Sequence, residues 1–175
     1  TVVDALKVMN SRISAEHLPK PLKPFLSRRL ILVTAHRREN FGKPLVSICK
    51  AIKRIADQFP DTAVVYPVHL NPQVKDIVHR HLGGHPSVLL LAPLDYLEFT
   101  ALLKKCFFVL TDSGGVQEEA PSFHKPVLVM REVTERPDGV KMGIAKLVGT
   151  SETRITRAAF ELLSSSKKYQ QMILL

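Results

Sequence analysis

Residues 106–121 read CFFVLTDSGGVQEEAP. A short apolar run that ends at a polar turn has the form of a buried strand. Two adjacent glycines follow, giving the backbone freedom in φ and letting another group approach the main chain closely. A new helix then begins in VQEEAPSF. A strand that passes through Asp-Ser-Gly-Gly into a helix leaves unpartnered N–H groups and the positive dipole end at the turn. A phosphate or diphosphate suits that point, contacted by the Ser113 hydroxyl and the amides of Gly114 and Gly115. A purely structural tight turn accounts for the glycines equally well.

The same strand-then-helix unit recurs on both sides of this stretch. RLILVTA (29–35) is a short β-rich run, and in PLVSICKAIKRIADQF (44–59) Leu45, Ile48, Ile52, Ile55 and Phe59 return at helical spacing. TAVVYPV (62–68) reads as a strand and NPQVKDIVHRHLGG (71–84) as a helix ended by glycine. SVLLLAP (87–93) is a strand, and DYLEFTALLKKC (95–106) is a helix whose Asp95 and Glu98 are spaced as a capping box. Beyond the glycine turn come the strand PVLVM (126–130), a loop, a short strand AKLVG (145–149) and the helix ETRITRAAFELLSS (152–165). Ahead of the first strand, LPKPLKPF (18–25) has the composition of a linker. Strict alternation of strand and helix calls for a parallel sheet covered by helices on both faces.

The chain has 175 residues, 45% of them hydrophobic, enough for one ordinary domain with a proper core. No apolar run nears the roughly 20 residues that cross a bilayer. The first residues lack the charged leader and hydrophobic stretch of an export signal, so a soluble, cytoplasmic protein without a membrane partner is expected. Cys49 and Cys106 sit within apolar patterns and are expected in the core of a protein from a reducing compartment. The formal net charge of +9 suits an anionic partner. Lysine and arginine are spread along the chain without an aromatic-basic RNA-binding motif, so nucleic acid is not expected. Neither a Walker lysine motif nor GxGxxG occurs, which argues against ordinary ATP hydrolysis and common dinucleotide binding, and no cofactor is expected. His79 and His81 point in different directions on a helix and the other histidines lack ligand spacing, so no metal is expected.

In a parallel sheet the strand-to-helix loops share one edge, where open α/β folds bind ligands. The first loop carries His36, Arg37 and Arg38. The planar fork of arginine suits phosphate oxygens, and an imidazole can donate or shuttle a proton near neutral pH. A solvated basic loop with Glu39 as internal partner is the alternative, and the position at the binding edge favours ligand contact. Glu119 lies about 9 Å beyond Ser113 along a helix rising about 1.5 Å per residue, where a ribose would fall if its phosphate sat at the helix start. Two carboxylate oxygens match two vicinal hydroxyls, although interaction with the helix dipole would serve Glu118 and Glu119 alike. His69 holds the equivalent place after the second strand. Arg136 either reaches an anionic ligand or pairs with Glu135, and Phe99 is part of the core or borders a flat base.

Taken together, LVTAHRRENFG, VVYPVHLNP, LTDSGGVQEEAPS, KPVLVMR, TERPDGV and KLVGT, in order from about Leu30 to Thr150, closely resemble the C-terminal half of the non-hydrolysing UDP-N-acetylglucosamine 2-epimerases. The resemblance implies an α/β, Rossmann-like, doubly wound parallel sheet forming the C-terminal half of a glycosyltransferase-B-type two-domain fold. Residues 1–24 would be the tail of an N-terminal domain and a linker, and 25–175 the UDP-binding domain. Ser113, Gly114 and Gly115 would hold the diphosphate, Glu119 the ribose hydroxyls and Phe99 the uracil side. His36 would approach the phosphates and assist departure of UDP. Arg37 or Arg38 and His69 correspond to residues associated with a second, regulatory UDP-N-acetylglucosamine in bacterial members, and Arg136 is a further candidate phosphate contact.

The reaction so implied is elimination of UDP to a 2-acetamidoglucal and re-addition with inversion at C2, giving UDP-N-acetylmannosamine for surface polysaccharides, in a homodimer. It needs a base and an acid on opposite faces of C2. The resemblance assigns both to the N-terminal domain, so this chain alone is expected to bind UDP without turnover. A hydrolysing epimerase and a non-catalytic nucleotide-sugar sensor or accessory subunit are the alternatives. A glycosyltransferase donor domain is disfavoured by HRREN and TERP. The chain departs from the family pattern at Phe123-His124, where Leu-Gly is usual, and at Lys141, Met142 and Ile144 in DGVKMGIAK.

Overall fold

Along β1 (Arg29–Thr34) the side chains alternate between two buried layers. Ile31 and Val33 enter one, Leu30 and Leu32 the other, as the period-two pleat requires. A strand apolar on both sides is stable only inside a sheet that is covered twice. In the computed structural model, which describes residues 2–174, β1 lies there. It is joined by β2 (Thr62–Pro67), β3 (Val88–Leu91), β4 (Phe108–Thr111), β5 (Val127–Val129) and β6 (Ala145–Leu147). All neighbours pair in parallel, in the order β3-β2-β1-β4-β5-β6. This is the Rossmann-like doubly wound arrangement, with the reversal between β1 and β4.

On one face the core contains Ile48, Ile52 and Ile55 of α2 (Lys43–Gln58), Val74 and Val78 of α3 (Pro72–Leu82) and Ile155 and Leu162 of α7 (Glu152–Ser164). Tyr169 and Met172 of α8 (Ser166–Ile173) pack against it. On the other face, Leu102 and Leu103 of α4 (Tyr96–Lys105) and Val116 of α5 (Gly114–Glu119) meet Leu30, Leu32, Val65 and Val109. Two further helices, α1 (Val2–Asn10) and α6 (Pro137–Met142), complete the described residues. Cys49 and Cys106 are buried in the core, free of one another, and burial pushes both thiols up to about 12.

Capping residues set where the helices begin. Asn71 accepts a bond from Gln73 N ahead of α3 at 2.9 Å, with Pro72 in the first turn. Asp95 and Glu98 form the expected reciprocal box at α4. The structure differs from the expectation in three places. LPKPLKPF is not a loose connection: residues Lys20–Phe25 form a 3-10 turn whose Leu22 is fully buried against the sheet. Burial of such a side chain contributes roughly 1.5–3 kcal/mol, enough to order a segment without helical periodicity. The expected loop after β5 contains α6. Past the helix 152–164, α8 docks through Tyr169, whose ring stacks on Phe107 at 4.1 Å and whose hydroxyl donates to the Phe107 carbonyl at 2.7 Å.

Helix α5 starts at Gly114 and gives way at Ala120–Phe123 to a 3-10 turn containing Pro121. His124 closes this turn with φ +55°, in the left-handed region that a Cβ disfavours, at the position where the resemblance places glycine. Of the other departures, Ile144 is fully buried while Lys141 and Met142 are exposed on α6. His124→Gly is expected to raise the unfolding free energy by about 0.5–1 kcal/mol in urea titration. A loss of stability would mean that the imidazole contributes more than the strained backbone costs.

Candidate functional site

The ends of β1 and β4 lie side by side, with Thr34 in register with Thr111 and their hydroxyls 2.7 Å apart. From here β1 leads to α2 on one face of the sheet and β4 to α5 on the other, which opens a crevice between the two loops. Asp112, the next residue, is fully buried. Its carboxylate accepts the backbone N–H groups of His36 at 3.0 Å and Arg37 at 2.9 Å, and the side-chain amide of Asn40 at 3.0 Å. Its other oxygen lies 3.7 Å from His36 Nδ1. Tyr66 donates its hydroxyl to the Ala35 carbonyl at 3.1 Å and secures the same loop from β2.

A cleft of about 210 Å³ opens at this point, lined among others by His36, His69, Phe99, Ser113 and Val116. Four expected site residues thus converge here, His36, His69 and Ser113 from the loops after β1, β2 and β4 and Phe99 from the first turns of α4. The His36 and His69 rings stack with centroids 5.8 Å apart. Ser113 is the N-cap of α5, and its Oγ accepts from Val116 N at 3.4 Å. Accepting that bond leaves the hydroxyl hydrogen to donate. Gly114 and Gly115 form the first turn of α5 beside it.

Glu119 ends α5 and is partly buried. Burial, and then the neighbouring Glu118 charge, push its carboxyl above the usual carboxylate range. Burial first, and the Glu119 charge second, push the Tyr96 phenol up, so this carboxylate faces the start of α4 across the cleft side of the domain.

The arginines stand on the rim. Arg136 pairs with Glu118, Nε to Oε1 at 2.6 Å, and not with Glu135. Glu135 instead takes the nearly buried Arg131 at 2.5 Å and lies 3.6 Å from Arg37. Arg37 also keeps the expected internal partner, Glu39, at 3.3 Å. Arg38, exposed at the start of the 3-10 turn Arg38–Asn40, does not line the cleft. Among the described residues no group of three His, Cys, Asp or Glu side chains could hold a metal ion, and no helix is long and apolar enough to cross a membrane. Asp112, Asn40, Gln117, Thr134 and Arg131 organise the site and escaped the sequence reading. The available signal was Asp112 itself, an acid placed directly after a buried strand.

Comparison with known proteins points in one direction. A family model described as UDP-N-acetylglucosamine 2-epimerase matches residues 1–174. The UDP-N-acetylglucosamine 2-epimerase of Bacillus subtilis strain 168 is 47% identical over 172 residues, covering 98% of this chain and 44% of the relative. That of Escherichia coli K12 is 46% identical over 178 residues, covering 98% and 47%. Among solved structures, the S. aureus MnaA co-structure with UDP superposes with a TM-score of 0.90 at 45% identity, over 97% of this chain and 46% of that one. The Neisseria meningitidis UDP-GlcNAc 2-epimerase bound to UDP-GlcNAc gives 0.89 at 37%, over 99% and 48%. The chain therefore spans about half the length of the relatives it matches.

Replacing Asp112 by Asn presents an NH₂ group to a pocket of N–H donors and removes the charge that three of them share. Asp112→Asn is expected to cost about 2–4 kcal/mol in chemical denaturation. A loss below about 0.5 kcal/mol would show that the carboxylate does not organise the loop.

Proposed function

The chain belongs to the UDP-N-acetylglucosamine 2-epimerase family, and from that premise we propose that this domain holds the UDP part of UDP-N-acetylglucosamine while the sugar is inverted at C2 to give UDP-N-acetylmannosamine. The observation that carries the proposal is the convergence of His36, His69, Phe99 and Ser113 on one cleft at the reversal of strand order. Binding of UDP by a structure superposing at a TM-score of 0.90 supports it.

In this proposal the Ser113 hydroxyl and the N–H groups of Gly114 and Gly115 donate to the diphosphate, helped by the positive end of α5. Glu119 accepts the two ribose hydroxyls, and Phe99 flanks the uracil. In the elimination step the C1–O bond breaks, the C2 proton goes to a base, and UDP leaves with the bonding electron pair. His36, held at its backbone by Asp112, donates to a phosphate oxygen as that charge develops. Protonation of the glucal at the opposite face of C2 and return of the UDP oxygen to C1 complete the inversion. The base and the acid are placed outside these 175 residues, in a preceding catalytic domain joined through residues 1–24.

His69 and either Arg37 or Arg38 are assigned to a second, regulatory UDP-sugar. Residues 25–175 as the UDP-binding unit, a homodimer and a cytoplasmic setting belong to the same proposal and rest on the resemblance.

Calorimetric titration of this chain with UDP is expected to show binding, and Ser113→Ala and Glu119→Ala each to weaken it by roughly 1.5–3 kcal/mol, about 10- to 150-fold. A folded chain that ignores UDP would count against the reading. In the full-length protein, UDP-N-acetylglucosamine is expected to yield UDP-N-acetylmannosamine without accumulation of free UDP, whereas steady release of UDP and N-acetylmannosamine would select the hydrolysing alternative. Glu119 must be ionised to accept both hydroxyls, and its carboxyl is raised. Uridine affinity is therefore expected to fall as pH drops through a midpoint above 4.5, the ordinary value. Glu118→Gln should move that midpoint down. Uridine is the probe because it carries no phosphate to titrate.

A further inference from the structure

A short chain of hydrogen bonds runs from the start of α5 to the loop that carries Arg136. The Gln117 side chain is nearly fully buried. Its Nε2 donates to the Ser113 carbonyl at 3.2 Å, and its Oε1 accepts the Thr134 hydroxyl at 2.6 Å. Thr134 Oγ1 in turn accepts the backbone N–H of Arg136 at 3.0 Å. Each link spends the donor or acceptor that the next requires: the amide gives its N–H to one side and its carbonyl to the other, and the hydroxyl both donates and accepts.

The chain ends over the first turn of α5. A β-carbon on Gly114 would lie 3.8 Å from Arg136 Nε and 2.9 Å from Glu135 Oε1. Glu135 and Arg136 therefore both pack over the first turn of α5, the carboxylate oxygen nearer to it than the guanidinium. Glu118 holds the guanidinium from the outer side at 2.6 Å. That pair is surface-exposed and of a kind that is worth little by itself, whereas the bond from Thr134 to the buried Gln117 ties the loop to α5 from the inner side.

We propose that Gln117 and Thr134 are positioning residues for Arg136, setting its guanidinium against the first turn of α5 so that the arginine and the Ser113–Gly115 turn grip one phosphate group together. The inference rests on the nucleotide reading above. Neither residue touches the phosphate: Thr134 acts through Arg136, and Gln117 supports Thr134 while also holding the Ser113 carbonyl. The ligand class is set by this geometry: a phosphate-bearing nucleoside gains from the relay, and the bare nucleoside does not.

The test uses the full-length protein, with UDP measured by calorimetry and uridine by saturation-transfer NMR. Thr134→Val keeps the shape and removes the hydroxyl, and is expected to weaken UDP about five- to tenfold. Thr134→Ser restores the hydroxyl and is expected to stay within about twofold of wild type, with uridine affinity unchanged in both. Gln117→Ala is expected to follow Thr134→Val. In an Arg136→Ala background, Thr134→Val should produce no further loss, because the residue it positions is gone. An equal loss for uridine, or the same loss with and without Arg136, would reduce Gln117 and Thr134 to structural residues and overturn the inference while leaving UDP binding intact. Wild-type protein that binds no UDP would overturn both readings at once.

Discussion

At the reversal of strand order, the buried Asp112 carboxylate gathers the N–H groups of His36 and Arg37 and the amide of Asn40. A carboxylate removed from water costs several kcal/mol unless donors replace its hydration, so the loop after β1 can adopt only conformations that bring those donors in. The position of His36 is therefore set by a residue that belongs to the turn after β4. That same turn continues directly into Ser113 and the first amides of α5. One buried charge joins the histidine and the Ser113–Gly115 turn in a single unit, and the Thr34 to Thr111 hydroxyl contact ties the strands beneath it.

The charged rim follows a different logic. Although the chain carries a net +9, Arg37, Arg131 and Arg136 are matched by Glu39, Glu135 and Glu118. Hydrogen bonding from Arg131 holds the Glu135 carboxyl below the usual carboxylate range, so this carboxylate stays ionised across the neutral range. The exposed members of the rim add little to stability. Their effect is to hold the loops after β1 and β5 at fixed distances from each other and from α5.

Helices α2, α3 and α4 were legible because each announces itself locally: apolar residues at helical spacing, Asn71-Pro72 ahead of α3, Asp95 and Glu98 at α4. Helix α8 and the turn at Lys20–Phe25 were not, because their order comes from contacts with distant residues, Tyr169 on Phe107 and Leu22 against the sheet. Helix α6 is short and begins at Pro137 without a side-chain cap, so it gives no stronger signal than a loop. The site divides in the same way. His36, His69, Phe99 and Ser113 follow from their placement after successive strands. Asp112 reads in sequence as a turn residue, because the three groups it accepts lie 72 to 76 residues earlier.

Hydrophobic periodicity and glycine turns are short-range properties, so the sequence alone determined the alternating elements, the doubly covered parallel sheet and the edge on which ligand loops gather. It also placed the Ser-Gly-Gly turn from which α5 begins. Only the tertiary structure decided which partners the charges chose: Arg136 with Glu118, Glu135 with Arg131, Asp112 with the His36 loop, and Gln117 with Thr134. The reason is physical. A charge or amide is satisfied by whichever complementary group the packed chain brings within about 3 Å, and which strands lie side by side, and so which loops meet, is set by the order of the sheet.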